Sequence, residues 1–150
     1  MVFERFTDRA SIVAIGADRE ASKMQSPAIG SEHYLLGLFG LDTYPVVDAL
    51  RSSGLTVDLV RHSVEKLFGQ PVQARTGHVP YTREAKLMLD RAKVEALLLE
   101  MANITPGHLL LAMLHQKECH AHQVFLHHSR PGRLDAFRER IADITRVHPT

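Results

Sequence analysis

This sequence of 150 residues has a single cysteine, Cys119. No intramolecular disulfide can form, so a reducing compartment such as the cytoplasm is the expected location. Long apolar runs are also absent, since no stretch approaches the roughly 20 residues that a membrane-spanning helix needs. Charged residues at Glu4, Arg5, Asp8 and Arg9 interrupt the segment where a signal peptide would be apolar. We therefore expect neither export nor a membrane partner.

The sequence also lacks an excess of charge of one sign. It contains 18 Lys and Arg residues against 17 Asp and Glu residues, and the basic residues are spread along the chain. Binding of nucleic acid through its phosphates needs the opposite pattern, a clustered basic surface. We therefore expect no nucleic-acid partner. With 45% apolar and 23% charged residues, the composition is that of an ordinary globular protein, and the length fits one domain.

Two further patterns are missing. No segment alternates β-branched and polar residues over the length of a strand, so we expect no β-sheet. No Gly-x-x-x-x-Gly-Lys-Ser/Thr phosphate loop occurs, and 150 residues are too few for an ATPase ring module. These absences favour a non-catalytic protein without a cofactor.

The strongest positive signal is an internal duplication. Residues 6–39 align without a gap on residues 81–114, at a shift of 75 positions, with nine identities. Because Thr, Glu and His are among them, two segments of similar apolar composition do not explain the agreement. The identical pairs are Thr7/Thr82, Ala10/Ala85, Ala17/Ala92, Glu20/Glu95, Ala21/Ala96, Ile29/Ile104, His33/His108, Leu35/Leu110 and Leu36/Leu111.

Each copy is predicted to form four helices. Thr7 and Thr82 are predicted N-caps of a first helix, because apolar residues follow each at intervals of three or four. Ser31 and Thr105 are predicted N-caps of a short apolar second helix, with Pro106 at its first position in the second copy. The remaining helices are predicted at about 45–53, 57–68, 119–128 and 133–146.

The predicted fold class is therefore all-α, with two pseudo-symmetric four-helix repeats and about eight helices in a single domain. The first repeat covers about residues 3–69 and the second about residues 81–146. Between them, residues 70–80 are rich in helix-breaking Gly and Pro and poor in apolar periodicity, which is typical of a linker.

Three segments of the sequence carry a resemblance to a known family. They are Phe3–Ala10, Gly30–Leu38 and Gly77–Thr82, and they resemble the N-terminal domain of the Clp (Hsp100) unfoldases of the ClpC type, over nearly the whole chain to about residue 146. The Gly-Thr/Ser-Glu-His-x-Leu-Leu motif of that family is complete in the first copy, whereas only His108 and the leucines survive in the second.

The resemblance implies a function as well as a fold. Such domains bind adaptors and substrates and pass them to ATP-driven rings. We therefore expect a non-catalytic protein-binding module of the Clp unfoldase and protease system, either a stand-alone relative or a domain excised from a longer unfoldase. Its expected partners are a Clp unfoldase, adaptor proteins or protein substrates.

The resemblance further implies a pocket for phosphoarginine, to which Glu32 and Thr7 are carried over. A carboxylate can pair with the guanidinium, and a hydroxyl with free N–H groups at a helix N-terminus can receive the phosphate. The simpler interpretation is that Glu32 favours the positive end of its helix and Thr7 only caps. In the second copy Gly107 replaces the carboxylate, so Thr82 is kept but an equivalent second pocket is not expected.

A second candidate surface consists of Phe3, Tyr81, Lys86 and Asp90. In similar domains these positions lie at a groove between the repeats that peptide-like ligands and adaptors use. Aromatic rings with a few charges are typical of protein-binding patches. The alternative is that Phe3 and Tyr81 pack against the helices that they precede.

Histidines suggest a third class of site. His33 and His108 match through the duplication, and we expect each to bond structurally across to a neighbouring helix. A possible zinc site consists of His115, Cys119 and His122, which are spaced at four and three residues. On one helix this spacing would place the three ligands on the same face, as in a metal-binding protein. Because no HExxH-like carboxylate accompanies them and the first copy has no counterpart, we expect no metal and no catalytic residues.

Overall fold

The computed structural model describes residues 2–69 and 79–150. These residues contain eight α-helices and one 3-10 turn at Val2–Arg5, and only isolated β-bridges, which confirms the all-α prediction. The greater part of the predicted linker, residues 70–78, lies outside the described residues. The helices are α1 Asp8–Lys23, α2 Ser31–Leu38, α3 Pro45–Ser52, α4 Val57–Phe68, α5 Arg83–Leu98, α6 Pro106–His115, α7 His120–His128 and α8 Pro131–Val147.

The predicted caps of the two long helices are confirmed. The hydroxyl oxygen of Thr7 accepts a hydrogen bond from the N–H of Ala10 at 3.2 Å, and that of Thr82 accepts one from the N–H of Ala85 at 3.2 Å. Each bond satisfies an N–H that has no partner within its own helix. Thr105 is the N-cap of α6, as predicted.

Three predicted boundaries differ from the structure. Gly30, not Ser31, is the N-cap of α2, because the Ser31 hydroxyl bonds to Glu84 instead of capping its own helix. Helix α8 begins at Pro131 rather than at residue 133, since a proline needs no N–H partner at the first helical position. Cys119 is the N-cap of α7 rather than its first helical residue.

Helices α2 and α6 form the centre of the molecule. All eight residues of α2 and every residue of α6 from Pro106 to Leu114 are buried. Helix α1 packs on α2, and α5 and α8 pack on α6. No helix of the described residues is both long enough and apolar enough to cross a membrane.

The duplication is visible in the burial of matched residues. Both duplicated glutamates are buried against an arginine, with Glu20 3.0 Å from Arg61 and Glu95 3.0 Å from Arg91. The duplicated alanine stripes of α1 and α5 are buried, as predicted. They are Ala10, Ala17 and Ala21 in the first copy and Ala85, Ala92 and Ala96 in the second.

The two copies are joined by a crossed pairing. Phe6 forms a β-bridge with Ile104, and the corresponding Tyr81 forms one with Ile29. The segment before α1 therefore lies beside the start of α6, and the segment before α5 lies beside the start of α2. This crossing determines which side chains meet at the boundary between the copies.

His33 and His108 both have a structural role at the start of their own helix. Nδ1 of His33 accepts a hydrogen bond from the N–H of Gly30, and Nδ1 of His108 accepts one from the N–H of Thr105, both at 2.9 Å. Each histidine thus caps the first turn of its own helix at Nδ1. Nε2 of His108 has no hydrogen-bond partner among the described residues, so His108 does not form the predicted bond to a neighbouring helix. Burial lowers the pKa of His108 to about 4, so this ring is neutral near pH 7.

Candidate functional site

Polar side chains from three helix N-termini meet where the two copies join. Helix α2 contributes Ser31 and Glu32, the start of α5 contributes Thr82 and Glu84, and α7 contributes His120. We call these five residues the inter-repeat cluster. The crossed pairing of the copies brings them together across separations in sequence of up to 88 residues.

Glu84 is the centre of the hydrogen bonding in this cluster. Its carboxylate accepts hydrogen bonds from the Ser31 hydroxyl at 2.5 Å, the Thr82 hydroxyl at 2.7 Å, the Ser31 N–H at 3.0 Å and the His120 N–H at 2.8 Å. The two N–H groups belong to the first residues of α2 and α7, so the carboxylate lies at the positive ends of two helices. Burial raises the pKa of Glu84, but these hydrogen bonds outweigh it and the pKa lies below its ordinary value.

Glu32 and His120 are hydrogen-bonded to each other beside it. Nδ1 of His120 lies 3.0 Å from Oε2 of Glu32 and 3.5 Å from Oε1 of Glu84. The imidazole stacks on Phe68 at 4.0 Å between ring centroids and an interplanar angle of 10°. Burial lowers the pKa of His120, but the hydrogen bond to Glu32 and the charges of both carboxylates outweigh it, so that the pKa is raised.

One carboxylate oxygen of the cluster has no partner. Oε1 of Glu32 is buried without a hydrogen bond among the described residues, in a side chain that is only 6% exposed. An unpaired acceptor of this kind costs free energy in the folded state, on the order of 1–3 kcal/mol. Glu32 also folds back over Gly30, where a Cβ atom would overlap with the Glu32 carboxylate. A glycine before Ser31 is therefore required for this arrangement.

The cluster has the chemistry to hold a cation and an anion side by side, and the chain's own side chains fill both roles. His120, when protonated, is the cation against the two carboxylates, and Glu84 is the anion at the helix N-termini. One ligand atom each from Glu32, Glu84 and His120 lie within 4.8 Å of one another, which a metal ion could also use. Because Glu84 already accepts four hydrogen bonds, the imidazolium is the cation that fits best.

The two predicted pocket residues, Thr7 and Glu32, have different neighbours in the structure. The N–H of Thr7 donates to the carbonyl of Ile104 at 3.0 Å, in the second copy. The threonine that joins the surroundings of Glu32 is Thr82, through Glu84. The physical reason is the crossed pairing, which places the start of each long helix beside the short helix of the other copy.

The corresponding place in the second copy is filled. A Cβ atom on Gly107, the counterpart of Glu32, would overlap with the side chain of Thr145. Arg9 stands at the position that matches Glu84, and its guanidinium lies 5.3 Å from the ring centroid of Tyr44. The two matching positions therefore hold a glycine and an arginine instead of two carboxylates.

The second predicted surface, Phe3, Tyr81, Lys86 and Asp90, contains both packed and exposed side chains. Phe3 is 36% exposed, and its ring centroid lies 5.8 Å from that of Tyr81. The hydroxyl of Tyr81 is hydrogen-bonded to that of Tyr34 at 2.8 Å, so Tyr81 is held in place. Lys86 and Asp90 are exposed one turn apart on α5.

The weak metal candidates do not share a helix face, which corrects the expected geometry. His115 ends α6, whereas Cys119 precedes α7 and His122 lies within it. Sγ of Cys119 and Nδ1 of His122 both lie near the carbonyl of Met113, at 3.6 and 3.0 Å. Burial raises the pKa of Cys119 to about 11, so its thiol stays protonated near pH 7 and is a poor ligand or nucleophile.

Sequence reasoning missed Ser31, Glu84 and His120 as site residues. Glu84 had one usable signal, since it replaces Arg9 of the first copy two residues after a matched threonine. No pattern connected His120 with Glu32, because the contact between them depends on how the copies pack. The cluster is therefore a tertiary feature.

Comparison with known proteins gives a consistent result for sequence and fold. Residues 5–128 match the profile of the Clp repeat (R) N-terminal domain. The chain is 38% identical over 124 residues to the probable ATP-dependent Clp protease ATP-binding subunit of Chlamydia pneumoniae, covering 82% of this chain but only 15% of that protein. The chain thus spans about one seventh of the curated relative.

Solved structures have a similar fold. The N-terminal domain of the chaperone ClpD from Arabidopsis thaliana superposes with a TM-score of 0.73 at 23% identity, covering 93% of this chain and 96% of that one. A complex of the ClpV N-domain with a VipB peptide gives a TM-score of 0.68 at 18% identity, covering 95% and 90%. At these identities the likeness concerns the fold alone.

Proposed function

We propose, since this chain belongs to the Clp repeat (R) N-terminal domain family, that it is a non-catalytic module that binds protein substrates or adaptors of the Clp unfoldase and protease system. The relative in Chlamydia pneumoniae is named as the ATP-binding subunit of a Clp protease, and the ClpV N-domain is described in complex with a peptide. Both support a role in presenting protein segments to a motor.

The observation that carries the proposal is the surface at the join between the copies. Phe3 leaves part of its ring exposed against Tyr81, and Tyr81 directly precedes Thr82 of the inter-repeat cluster. An exposed aromatic ring beside charged groups is the usual composition of a protein-binding hot spot. Cys119 is buried and its thiol is protonated near pH 7, so it is a poor nucleophile. We also propose that the protein is located in the cytoplasm and that it acts without a cofactor.

A pull-down from the host lysate tests the proposal. We expect the wild type to recover a Clp unfoldase, an adaptor or a client protein. The variant Phe3→Ser with Lys86→Glu should recover about fivefold less, since a hot-spot truncation costs roughly 1 kcal/mol or more. Both positions are exposed, so the fold is retained.

The matched control carries the same two kinds of change elsewhere on α5. Leu98 is 63% exposed and Lys93 is exposed, so Leu98→Ser with Lys93→Glu alters an apolar residue and a charge outside the proposed surface. We expect its recovery to equal that of the wild type. Recovery of no Clp component and no client by the wild type would contradict the proposal.

A more specific alternative is that Glu32 reads phosphoarginine. The unpaired Oε1 of Glu32 supports it, because a guanidinium needs a carboxylate with a free acceptor. The donors that would receive the phosphate, the hydroxyls of Ser31 and Thr82 and two helix N-termini, are held by Glu84. His120 similarly occupies the place beside Glu32 where the guanidinium of the ligand would bind. Under this alternative, the ligand displaces both side chains.

Calorimetric titration with free phosphoarginine tests this alternative. We expect heat of binding with the wild type, none with Glu32→Ala, and tighter binding with Glu84→Ala, because that change vacates the phosphate donors. Thermal melts establish that each variant is folded at the temperature used. The absence of heat with both the wild type and Glu84→Ala would rule out phosphoarginine reading without touching the broader proposal.

A further inference from the structure

A groove of about 760 Å³ lies between the ends of α3 and α7 and the first half of α8. Its apolar floor includes Phe125, Leu134 and Phe137. Three guanidinium groups and several hydroxyls also line it. We call it the α8 groove; its arginines are Arg130, Arg133 and Arg140.

The spacing along α8 explains why these side chains share a face. Arg133, Phe137 and Arg140 follow one another at four and three residues, and Leu134 lies four after Arg130. Residues at these intervals lie on one side of a helix. Apolar side chains therefore form a strip on α8 that is flanked by positive charge.

The three arginines have no anionic partner among the described residues. All three are exposed, none forms an ion pair there, and no described carboxylate lines the groove. The chain pairs its arginines elsewhere, as with Arg51 and Asp48 at 3.4 Å or Arg146 and Asp143 at 2.6 Å. The groove thus concentrates positive charge on a chain whose net charge is only +1.

We propose that the α8 groove binds a short acidic peptide segment that carries an apolar side chain. The carboxylates pair with the guanidinium groups, which present matching forks of N–H donors. The apolar side chain lies on Phe137, whose ring is partly exposed. The concave shape and the apolar floor favour a peptide over a nucleic-acid backbone, which would use charge alone.

This site shares no residue with the inter-repeat cluster. It lies on α3, α7 and α8, whereas the cluster is built at the starts of α2, α5 and α7. A module with both sites could hold a client segment at one and an acidic adaptor segment at the other. The two proposals can therefore fail independently.

Fluorescence anisotropy tests the groove with a defined probe. The probe is a fluorescein-labelled peptide of sequence Glu-Asp-Glu-Leu-Phe-Glu-Asp-Glu, titrated with the full chain at low and at physiological ionic strength. We expect saturable binding that weakens with salt, because screening reduces exposed charge pairs. Arg140→Glu should weaken binding by about tenfold, the effect of losing one good charge-assisted pair and adding a repulsion.

The matched control is Arg138→Glu. Arg138 is exposed on the same helix but does not line the groove, so the variant changes the net charge equally. We expect its binding to stay within about twofold of the wild type, since exposed charges outside an interface contribute little. Helical circular dichroism and melting temperature show that both variants are folded.

Several outcomes would overturn the proposal. Equal weakening by Arg140→Glu and Arg138→Glu would mean non-specific attraction rather than a site. Equal affinity for a peptide in which Ser replaces Leu and Phe would mean that the apolar floor of the groove does not contribute to binding. Binding of a single-stranded oligonucleotide as tightly as the peptide would exclude the proposed occupant, and so would the absence of saturable peptide binding.

Discussion

Replacing Gly37 by leucine is expected to destabilise the chain by about 3 kcal/mol, the upper end of the usual range for overpacking, because the backbone cannot relieve the overlap. Gly37 lies where α2 crosses α1, and a Cβ atom there would be 2.5 Å from the carbonyl oxygen of Val13 and 3.0 Å from the N of Ala17. Both are backbone atoms of α1, so no side chain can turn aside. Helix α2 is buried along its length and cannot shift outward without opening the first copy.

Urea denaturation followed by circular dichroism measures the effect of Gly37→Leu. The control is Gly132→Leu, since Gly132 is also helical but a Cβ atom there meets nothing within 4 Å. Because leucine has the higher helix propensity, this variant should match or exceed wild-type stability, by up to about 1 kcal/mol. A loss at Gly37 of less than about 1 kcal/mol would mean that α1 and α2 do not approach as closely as described.

Glu84→Ala is expected to cost about 3 kcal/mol, because it leaves several buried donors unsatisfied at once. The Ser31 N–H and hydroxyl, the Thr82 hydroxyl and the His120 N–H would each lose an acceptor. The substitution also removes one of the contacts that join the first copy to α5 and α7. Thermal and urea melts at pH 7 measure the loss.

Glu84→Gln is the matched control, because it keeps the shape and one acceptor oxygen but loses the charge. We expect it to cost about half as much as Glu84→Ala, since bonds to a charged acceptor are roughly twice as strong as neutral ones. A cost below about 0.5 kcal/mol for Glu84→Ala would contradict the hydrogen bonding described for this carboxylate.

The difference in unfolding free energy between the wild type and Glu84→Gln is expected to depend on pH. The folded pKa of Glu84 is lowered, so its stabilising contribution is complete above the pKa of the unfolded chain, about 4.3. The contribution is lost as the pH falls through the lower folded pKa. The gap between the wild type and Glu84→Gln should therefore narrow in acid. A gap that widens below pH 4 would contradict the prediction.

Glu84 also links stability to the proposed binding. Its carboxylate fills the anion site formed by two helix N-termini, and His120 fills the cation site against Glu32. Ligand groups of either sign at this place compete with the chain's own side chains. A variant that loses stability at Glu84 and gains affinity for a phosphorylated ligand would show that the two roles share the same donors.

Much of the architecture followed from local pattern. The matched threonines, alanines and histidines predicted two copies with the same order of helices, because caps and apolar stripes depend on residues only a few positions apart. Errors arose where a side chain had a distant partner. Ser31 was predicted to cap its own helix, but its hydroxyl bonds instead to Glu84, 53 residues away.

The sequence by itself determined the helices, the duplication and the family, since each depends on spacing along the chain or on motifs of a few residues. Only the tertiary structure decided that Thr82 rather than Thr7 joins the surroundings of Glu32, that His120 and Glu84 fill that place, and that three arginines of α8 border a groove. The physical reason is the crossed pairing of Phe6 with Ile104 and of Tyr81 with Ile29. Contacts between copies depend on packing, which no periodicity within one copy encodes.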